Sequence, residues 1–597
     1  MKVGEVQTER AERRAGSKPY AAAFVCAVWL LSLLIPLYLV WLYGSDVPSW
    51  DDWDMVPAMT GHQPVTASWL WSQHNEHRVP LPRLVSLALY WGIREDFRVV
   101  MYFNVLIVAA LAFSLILAAK RLRGYVRYSD AFFPLLLLSW GQGVNFIWSW
   151  QLEYFLSTAL VGIVLLVIVQ SGERLGKRAA AAMGLCFILL VMCGAHGVVA
   201  LPGLMVWLGF SAVLRLYDRD ADAKSEAYFL FGVCLLAVLL VGLYFAGYEA
   251  VPYHPTNRKI RVLLRTAAQF LTMGFGAAIR SVWPWSGIAA VSLLSLSVAV
   301  LAAAGLRRPK ERVRAAGLFL FLGALISLAL GIGLGRDGFE PRYATLSVPI
   351  WCCVYFVGEI YGSARIRRLF QTALLIIVGA AFWPNTIFGI AYAKDLRSHL
   401  RSFEQDMSAG VPKNELIGRY SSYLHPHHDI PDSYMPMLRQ AGIGSFGLLH
   451  DPNVFREIPI PLIPTKVNQV RWENGIANST GYNPYFILAL PADTRIAGIR
   501  MKYTSSNADG TCPYISFYWK RNDQADFTVD QFYKYSPTGD RANWCHGVWT
   551  QLNDRETTAI VWLSTTLGKL RIHPDFKPGV FKIAELVLLE SDSPAAQ

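Results

Sequence analysis

Two short stretches of this chain carry residue types that do chemistry, at spacings that let them act together. The first runs Gly44-Ser45-Asp46-Val47-Pro48-Ser49-Trp50-Asp51-Asp52-Trp53-Asp54. Asp51 and Asp52 are adjacent, and like-charge repulsion raises the pKa of one member of such a pair. Partial burial would raise it further, toward the range in which a carboxylate serves as a general base. The second stretch, His74-Asn75-Glu76-His77-Arg78, joins two imidazoles, a carboxylate and a guanidinium. With Asp51 or Asp52 these groups suit a divalent metal ion; they also suit hydrogen bonds to a polar ligand. A plainer reading stands beside each: solvated acids next to aromatic anchors, and a polar network that holds a loop in shape.

Both stretches lie in segment 44–98, between long apolar runs, and the rest of the chain explains why. Of 597 residues, 54% are hydrophobic, 13% aromatic and 16% charged, where a soluble domain carries roughly 25% charged residues. Mean hydropathy is +0.32. A soluble enzyme, a disordered chain and a small disulfide scaffold are excluded. Runs long enough to cross a bilayer fall at 21–43, 99–119, 131–150, 153–170, 179–195, 198–216, 227–247, 285–306, 316–334, 344–361 and 369–391. The weakest is 131–150, which contains Gln142 and Asn145. The expected architecture is a polytopic α-helical membrane domain of about eleven spans over 1–391. A mixed connection over 392–470 and a soluble β domain over 471–597 follow it.

The formal net charge is +12 and the isoelectric point about 9.2, which invites a nucleic-acid reading. The basic residues instead sit in short segments between alternate spans. Lys120, Arg121, Arg123 and Arg127 form one set, and Arg307, Arg308, Lys310, Arg312 and Arg314 another. That is a topology signal. It predicts a cytoplasmic N-terminus and an outer, periplasmic 392–597 in a bacterial inner membrane, with membrane lipid and not nucleic acid as the charged partner. The first run exceeds a signal-peptide core and lacks a small-x-small cleavage site, so a retained anchor is expected. Cys26, Cys186, Cys193, Cys234, Cys352 and Cys353 lie in or beside spans, as small apolar residues do. Cys512 and Cys545 fall in the outer domain, where a disulfide between them is expected. Within 44–98, the run 84–93 is too short to span and predicts an amphipathic interfacial helix. Trp50, Trp53, Trp69, Trp71 and Trp91 suit the headgroup level.

A first span, a long outer loop with an Asp-Asp pair near its start, interfacial helices and then many further spans resemble the GT-C glycosyltransferases. These are integral membrane enzymes that take a sugar from a polyprenyl-phosphate donor. Asp51-Asp52 matches the family's acidic motif, so the resemblance implies that one of them, Asp51 first, deprotonates the acceptor hydroxyl. Members differ in metal dependence, which leaves a divalent metal ion open as cofactor.

Such a donor needs cations on the outer face, because the departing phosphate develops negative charge. Two segments supply them. One runs from Tyr253-His254-Pro255 through Arg258, Lys259, Arg261, Arg265 and Arg280, and predicts an interfacial basic helix; the other is Gly335-Arg336-Asp337-Gly338-Phe339-Glu340-Pro341-Arg342-Tyr343. An Arg-Tyr pair at the mouth of a late span is similar to the donor-phosphate contact of several GT-C members. Attraction to anionic headgroups is the bland reading of the same residues. Substrate-binding candidates are therefore His74, Glu76, His77, Arg78, Arg258, Lys259, Arg336, Arg342 and Tyr343. His196 reads as a packing histidine.

From about 480 onward, strand-like segments at 485–490, 495–503, 514–519, 558–563, 568–573 and 580–589 alternate with turn signals. They predict a β-sandwich or jelly roll, which on a membrane glycosyltransferase looks like a carbohydrate-binding module. Trp519, Trp544, Trp549 and Trp562 are stacking candidates, although core positions suit them as well. The reaction expected is inverting transfer of a sugar to a glycan, lipid or protein acceptor; arabinofuranosyl transfer is one candidate. The alternative is a transporter or flippase for a lipid-linked glycan.

Overall fold

The computed structural model describes residues 19–93, 96–218, 222–249, 251, 259–449, 455–509, 514–523, 527, 546–549, 553–575 and 577–591. The chain forms two compact units, Met1–Ser45 with Gln63–Lys394, and Asp46–His62 with Asp395–Gln597. The expected boundary at 391 is close to the observed one. The expectation that 44–98 is a single piece of the membrane domain does not hold, because 46–62 packs with the C-terminal unit. The reason is long-range: the Trp53 indole is fully buried and donates to the Leu424 carbonyl at 3.2 Å.

In the first unit, nine helices among the described residues, counting Ala364–Ser408, are long and apolar enough to cross a membrane. Two of the eleven expected spans take other forms. Lys177–Val191 is a helix of 15 residues, and 131–150 is a chain of short helical pieces, Phe132–Leu137, Trp140–Gln142, Gly143–Phe146 and Ser149–Gln151. Both still pass between the two ends of the bundle, which the polar contacts define. At one end His77 accepts from the Ala195 amide (3.2 Å), Arg78 reaches the Ala246 carbonyl (2.9 Å), Asn145 the Arg342 carbonyl (2.9 Å) and Arg336 the Glu76 carboxylate (3.3 Å). At the other, Arg123 pairs with Asp130 and Glu359, Arg174 with Asp218, Arg314 with the Ser171 carbonyl and Tyr361 with Glu311.

The broken crossing has a local cause. Gly141 and Gly143 sit against the helix Ala364–Ser408, where a Cβ on Gly141 would lie 2.7 Å from the Asn385 side chain. The two polar residues that weaken the run repair its backbone. Gln142 donates to the Leu136 and Leu137 carbonyls, both at 3.2 Å, and accepts from Thr345 at 2.6 Å. A helix may break at membrane depth only where protein re-satisfies the freed carbonyls. At the basic end, the Arg123, Asp130 and Glu359 side chains are 3%, 0% and 3% exposed. Tyr355 also donates to Asp130 at 2.7 Å, and Gln371 to Glu359 at 2.6 Å. This cluster ties the ends of three helices together.

The second unit carries helices Lys413–Leu424 and Asp429–Gln440 and then one nine-stranded antiparallel sheet. The sheet begins at Phe455–Pro459, earlier than the expected 471. Expected strands 485–490 and 495–503 are one strand, Tyr485–Asn507, and 558–563 and 568–573 are one, Asn553–His573. Register shifts after Trp562 and Leu567 mark bulges between these two long strands. Bulges bend and twist a strand, and the sheet curls around a core that includes Phe486, Phe517, Trp519, Leu570 and Phe581. Trp519 is 5% exposed, so it packs the core and presents no face for a sugar. Trp544, Cys512 and Cys545 lie outside the described residues, as do the side chains of Trp549 and Trp562. Cys186, Cys193, Cys352 and Cys353 are buried free thiols, as expected.

Two outcomes follow. Arg123→Ala leaves Asp130 and Glu359 buried without their guanidinium and should cost about 3–5 kcal/mol of stability, read as a lower thermal midpoint of the detergent-purified chain. The exposed Arg121→Ala should change it by about 0.5 kcal/mol or less. In the sheet, burial and the adjacent Arg571 guanidinium push the His573 imidazole down to about 3, where the unfolded chain titrates near 6.5. The folded state therefore refuses a proton that the unfolded chain accepts. Stability is intact above about pH 6.5 and falls at up to about 1.4 kcal/mol per pH unit below it. Amide exchange in Asn553–His573 of the full chain, corrected for intrinsic rate, should be faster at pH 5 than at pH 7, and His573→Gln should shrink the difference.

Candidate functional site

The His74–Arg78 stretch folds into a β-hairpin in which Gln73–His74 pairs with His77–Arg78. A two-residue turn of this kind needs positive φ, which Asn tolerates better than most residues, and Asn75 has φ 48°. The hairpin carries its side chains to different ends. His74 lies against the Trp150 ring at 4.6 Å between centroids. His77 stands 5.6 Å from the His196 ring, and its Nδ1 accepts from the Ala195 amide. Gly194, at φ 120°, allows this approach: a Cβ there would sit 3.1 Å from the His196 ring and 3.4 Å from His77 Nδ1.

Glu76, at the turn, meets the segment before Ala344–Tyr361. Arg336 donates to the Glu76 carboxylate at 3.3 Å, to the Tyr343 hydroxyl at 3.0 Å and to the Gly335 carbonyl at 3.0 Å. Burial alone would lower the Arg336 pKa, but the Tyr343 oxygen and the Glu76 carboxylate outweigh it and the net shift is upward. The guanidinium stays charged. Arg342 stacks over the Tyr343 ring at 5.2 Å and approaches Glu340 at 3.6 Å. Tyr154 completes the group, 5.8 Å from Tyr343 and 5.2 Å from His196. One end of the first unit thus gathers Glu76, His77, Tyr154, His196, Arg336, Arg342 and Tyr343. Arg336 and Arg342 are both partly exposed, with side chains 20% and 31% accessible.

Other candidates are placed differently. Arg78 is 6% exposed. Its Nε donates to the Tyr244 carbonyl, Nη1 to Trp71 and Nη2 to Ala246 and Gly247, between 2.8 and 3.0 Å. Four of its five N–H groups are spent on backbone, which makes it a latch for the loop and not a phosphate contact. Arg83 does similar work at the Trp69, Leu70 and Ser72 carbonyls. Lys259 is exposed just before the amphipathic helix Ile260–Met273, whose Arg265 pairs with Asp337 at 2.6 Å. Arg258 lies outside the described residues. Tyr154 and Arg83 were not singled out in the sequence. His196 packs as expected, with Nε2 on the Ser157 hydroxyl at 2.8 Å.

Asp51 and Asp52 belong to the second unit, in the 3₁₀ helix Trp50–Met55. Asp52 is 2% exposed and accepts the Ser49 amide at 3.2 Å, closing the N-terminus of that helix. Asp51 is more accessible and near His425, whose pKa is lowered by burial while the Asp51 charge pulls it back. Trp50, between Ser49 and Asp51, has φ 53°, a left-handed conformation that costs a bulky residue about 1–2 kcal/mol. Strain of this kind gathers at functional sites. Among the described residues no group of three or more His, Cys, Asp or Glu is arranged to hold a metal ion. His74 and His77 lie against different partners, Trp150 and His196.

No protein-family model matches the chain, and no curated protein is similar to it. Among solved structures it is similar to ArnT from Cupriavidus metallidurans bound to undecaprenyl phosphate, at 15% identity over 72% of this chain and 76% of that one, with a TM-score of 0.36. Arabinofuranosyltransferase AftD from Mycobacteria follows at 12% identity, 96% and 59% coverage and a TM-score of 0.28. Arabinosyltransferase EmbB from Mycobacterium smegmatis stands at 9% identity, 95% and 64% coverage and 0.30. At these values the likeness assigns no residue and no reaction.

The Arg78 latch has a direct check. Arg78→Lys keeps the charge but cannot reach four carbonyls at once, and should destabilise by about 2–4 kcal/mol. Proteolysis of the purified chain should then cut within 73–78 faster than in the wild type.

Proposed function

We propose that this chain is a membrane glycosyltransferase that takes a sugar from a polyprenyl-phosphate donor and passes it, with inversion, to a cell-surface acceptor. The observation that carries the reading is the Glu76–Arg336–Tyr343 cluster with Arg342 beside it. It is a held but accessible pair of guanidinium groups at one end of an apolar helical bundle, where a lipid phosphate would present its oxygens. Glu76 and Tyr343 orient Arg336, whose planar fork matches phosphate. His77, His74 and Tyr154 supply hydrogen-bonding groups for sugar hydroxyls, and Lys259 adds positive charge at the donor's approach.

In the reaction, Asp51 takes the proton from an acceptor hydroxyl, and that oxygen attacks the anomeric carbon from the face opposite the phosphate. The bond from the anomeric carbon to the phosphate oxygen breaks, and the leaving phosphate gains charge that Arg336 and Arg342 offset. Asp51 is preferred to Asp52 because Asp52 is buried and committed to capping its helix. The reading places the N-terminus in the cytoplasm and 395–597 in the periplasm of a bacterial inner membrane, with the β domain helping to present a glycan, lipid or protein acceptor. Arabinofuranose is one donor sugar that fits. Transport of a lipid-linked glycan would call for charges along a path between the two ends. The described buried ionisable groups of the spans instead sit at the ends, Glu153 and His196 at one and Arg123, Arg215 and Glu359 at the other.

The test uses the full chain in nanodiscs with a panel of polyprenyl-phosphate sugars and membrane-derived acceptors, following free polyprenyl phosphate. Acceptor-dependent release should fall about 10²–10⁴-fold in Asp51→Asn and about 10²-fold or more in Arg336→Gln, with thermal midpoints retained. Release that survives Asp51→Asn but not Asp52→Asn moves the base by one residue. Release indifferent to all three substitutions overturns the reading.

A further inference from the structure

The basic end of the bundle carries a groove that the proposed reaction does not use. Helices Ala195–Leu216 and Trp285–Arg307 both pack on Arg312–Gly335, and between them runs a space of about 530 Å³. Its walls are Phe210, Leu214, Leu301, Leu306 and Phe319, and small residues at Gly305, Ala315 and Ala316 give it depth. Leu306 is 79% exposed and Phe319 40%, so the groove opens along the apolar flank of the bundle. Arg312 is the one charged residue in its lining, and it is exposed. Its Nε donates to the Gly305 carbonyl at 3.3 Å. Arg307, Arg308 and Lys310 belong to the same short turn between the two helices.

We propose that this groove binds an anionic glycerophospholipid, one acyl chain lying along the apolar walls and the phosphate on Arg312. The volume is that of a small-molecule site. An acyl chain is already out of water in a bilayer or micelle, so walls of Leu and Phe hold it through shape and van der Waals packing. The guanidinium selects the headgroup: basic residues at the mouth of a pocket between membrane helices favour anionic lipid. Neutral lipid would fill the walls equally well and gain nothing at the turn.

The experiment is native mass spectrometry of the full chain in detergent, titrated with dioleoylphosphatidylglycerol, dioleoylphosphatidylcholine or polyprenyl phosphate. The wild type should hold phosphatidylglycerol more tightly than phosphatidylcholine. Arg312→Gln should bind phosphatidylglycerol on the order of fivefold more weakly and leave phosphatidylcholine unchanged. Gly305→Leu should weaken both. A Cβ at Gly305 meets only Ala315, at 3.9 Å, so its side chain enters the groove and not the helix packing, and the thermal midpoint in lipid-free detergent should hold. Equal binding of the two phospholipids by the wild type overturns the proposal. So does indifference of phosphatidylglycerol binding to both substitutions. Preferential binding of polyprenyl phosphate that both substitutions abolish also overturns it, and gives the groove to the donor lipid.

Discussion

Polar groups have no water to turn to in the hydrocarbon core, and that single constraint shapes most of the first unit. Each helix satisfies its own backbone, but every break and every charge must find protein. The crossing at 128–151 obeys this rule residue by residue. Gln142 and Asn145 are costly in an apolar run, yet Gln142 donates to the Leu136 and Leu137 carbonyls freed at the break and Asn145 to the Arg342 carbonyl. Arg123 obeys it at one end by taking both Asp130 and Glu359. Arg78 obeys it at the other by closing on carbonyls.

The same rule separates two kinds of guanidinium in the candidate site. A guanidinium whose donors are consumed by fixed carbonyls cannot also receive a phosphate without breaking the loop it holds. Arg78 and Arg83 are of this kind. Arg336 is held by one carboxylate, one phenol and one carbonyl, and Arg342 by a stacking contact and a longer approach to Glu340. A carboxylate partner holds such a fork in orientation.

Much of the fold was legible in the sequence because span length and the 3.6-residue period are local properties. Nine of the eleven apolar runs are, among the described residues, helices long and apolar enough to cross a membrane, and the weakest run, flagged by Gln142 and Asn145, is the broken one. The amphipathic helix at 84–93 is present as Pro80–Gly92. What depended on distant contacts was not legible. Nothing in Trp50–Asp54 announces that Trp53 will be buried under Leu424, so the first loop was read as one piece. Residue type failed at Arg78, since an arginine reading phosphate and one tying up a loop look alike in sequence. The expected strands 485–490 and 495–503 form one long strand, Tyr485–Asn507, whose continuity comes from its pairing with the distant Asn553–His573.

The adjacent carboxylates show how a site can divide labour through backbone geometry. A 3₁₀ helix beginning at Trp50 places the third residue's side chain back over the first turn, and Asp52 occupies that position. Its carboxylate accepts the Ser49 amide. Asp51 precedes it, is more accessible, and feels the half-buried His425. The left-handed Trp50 sets the start of this turn and so fixes which of the two acids faces inward. Strain there is tolerable because Trp53, three residues on, is anchored in the core of its unit. Two identical side chains in sequence thereby take different surroundings, Asp52 buried and Asp51 partly exposed, and the difference is made by the turn that carries them.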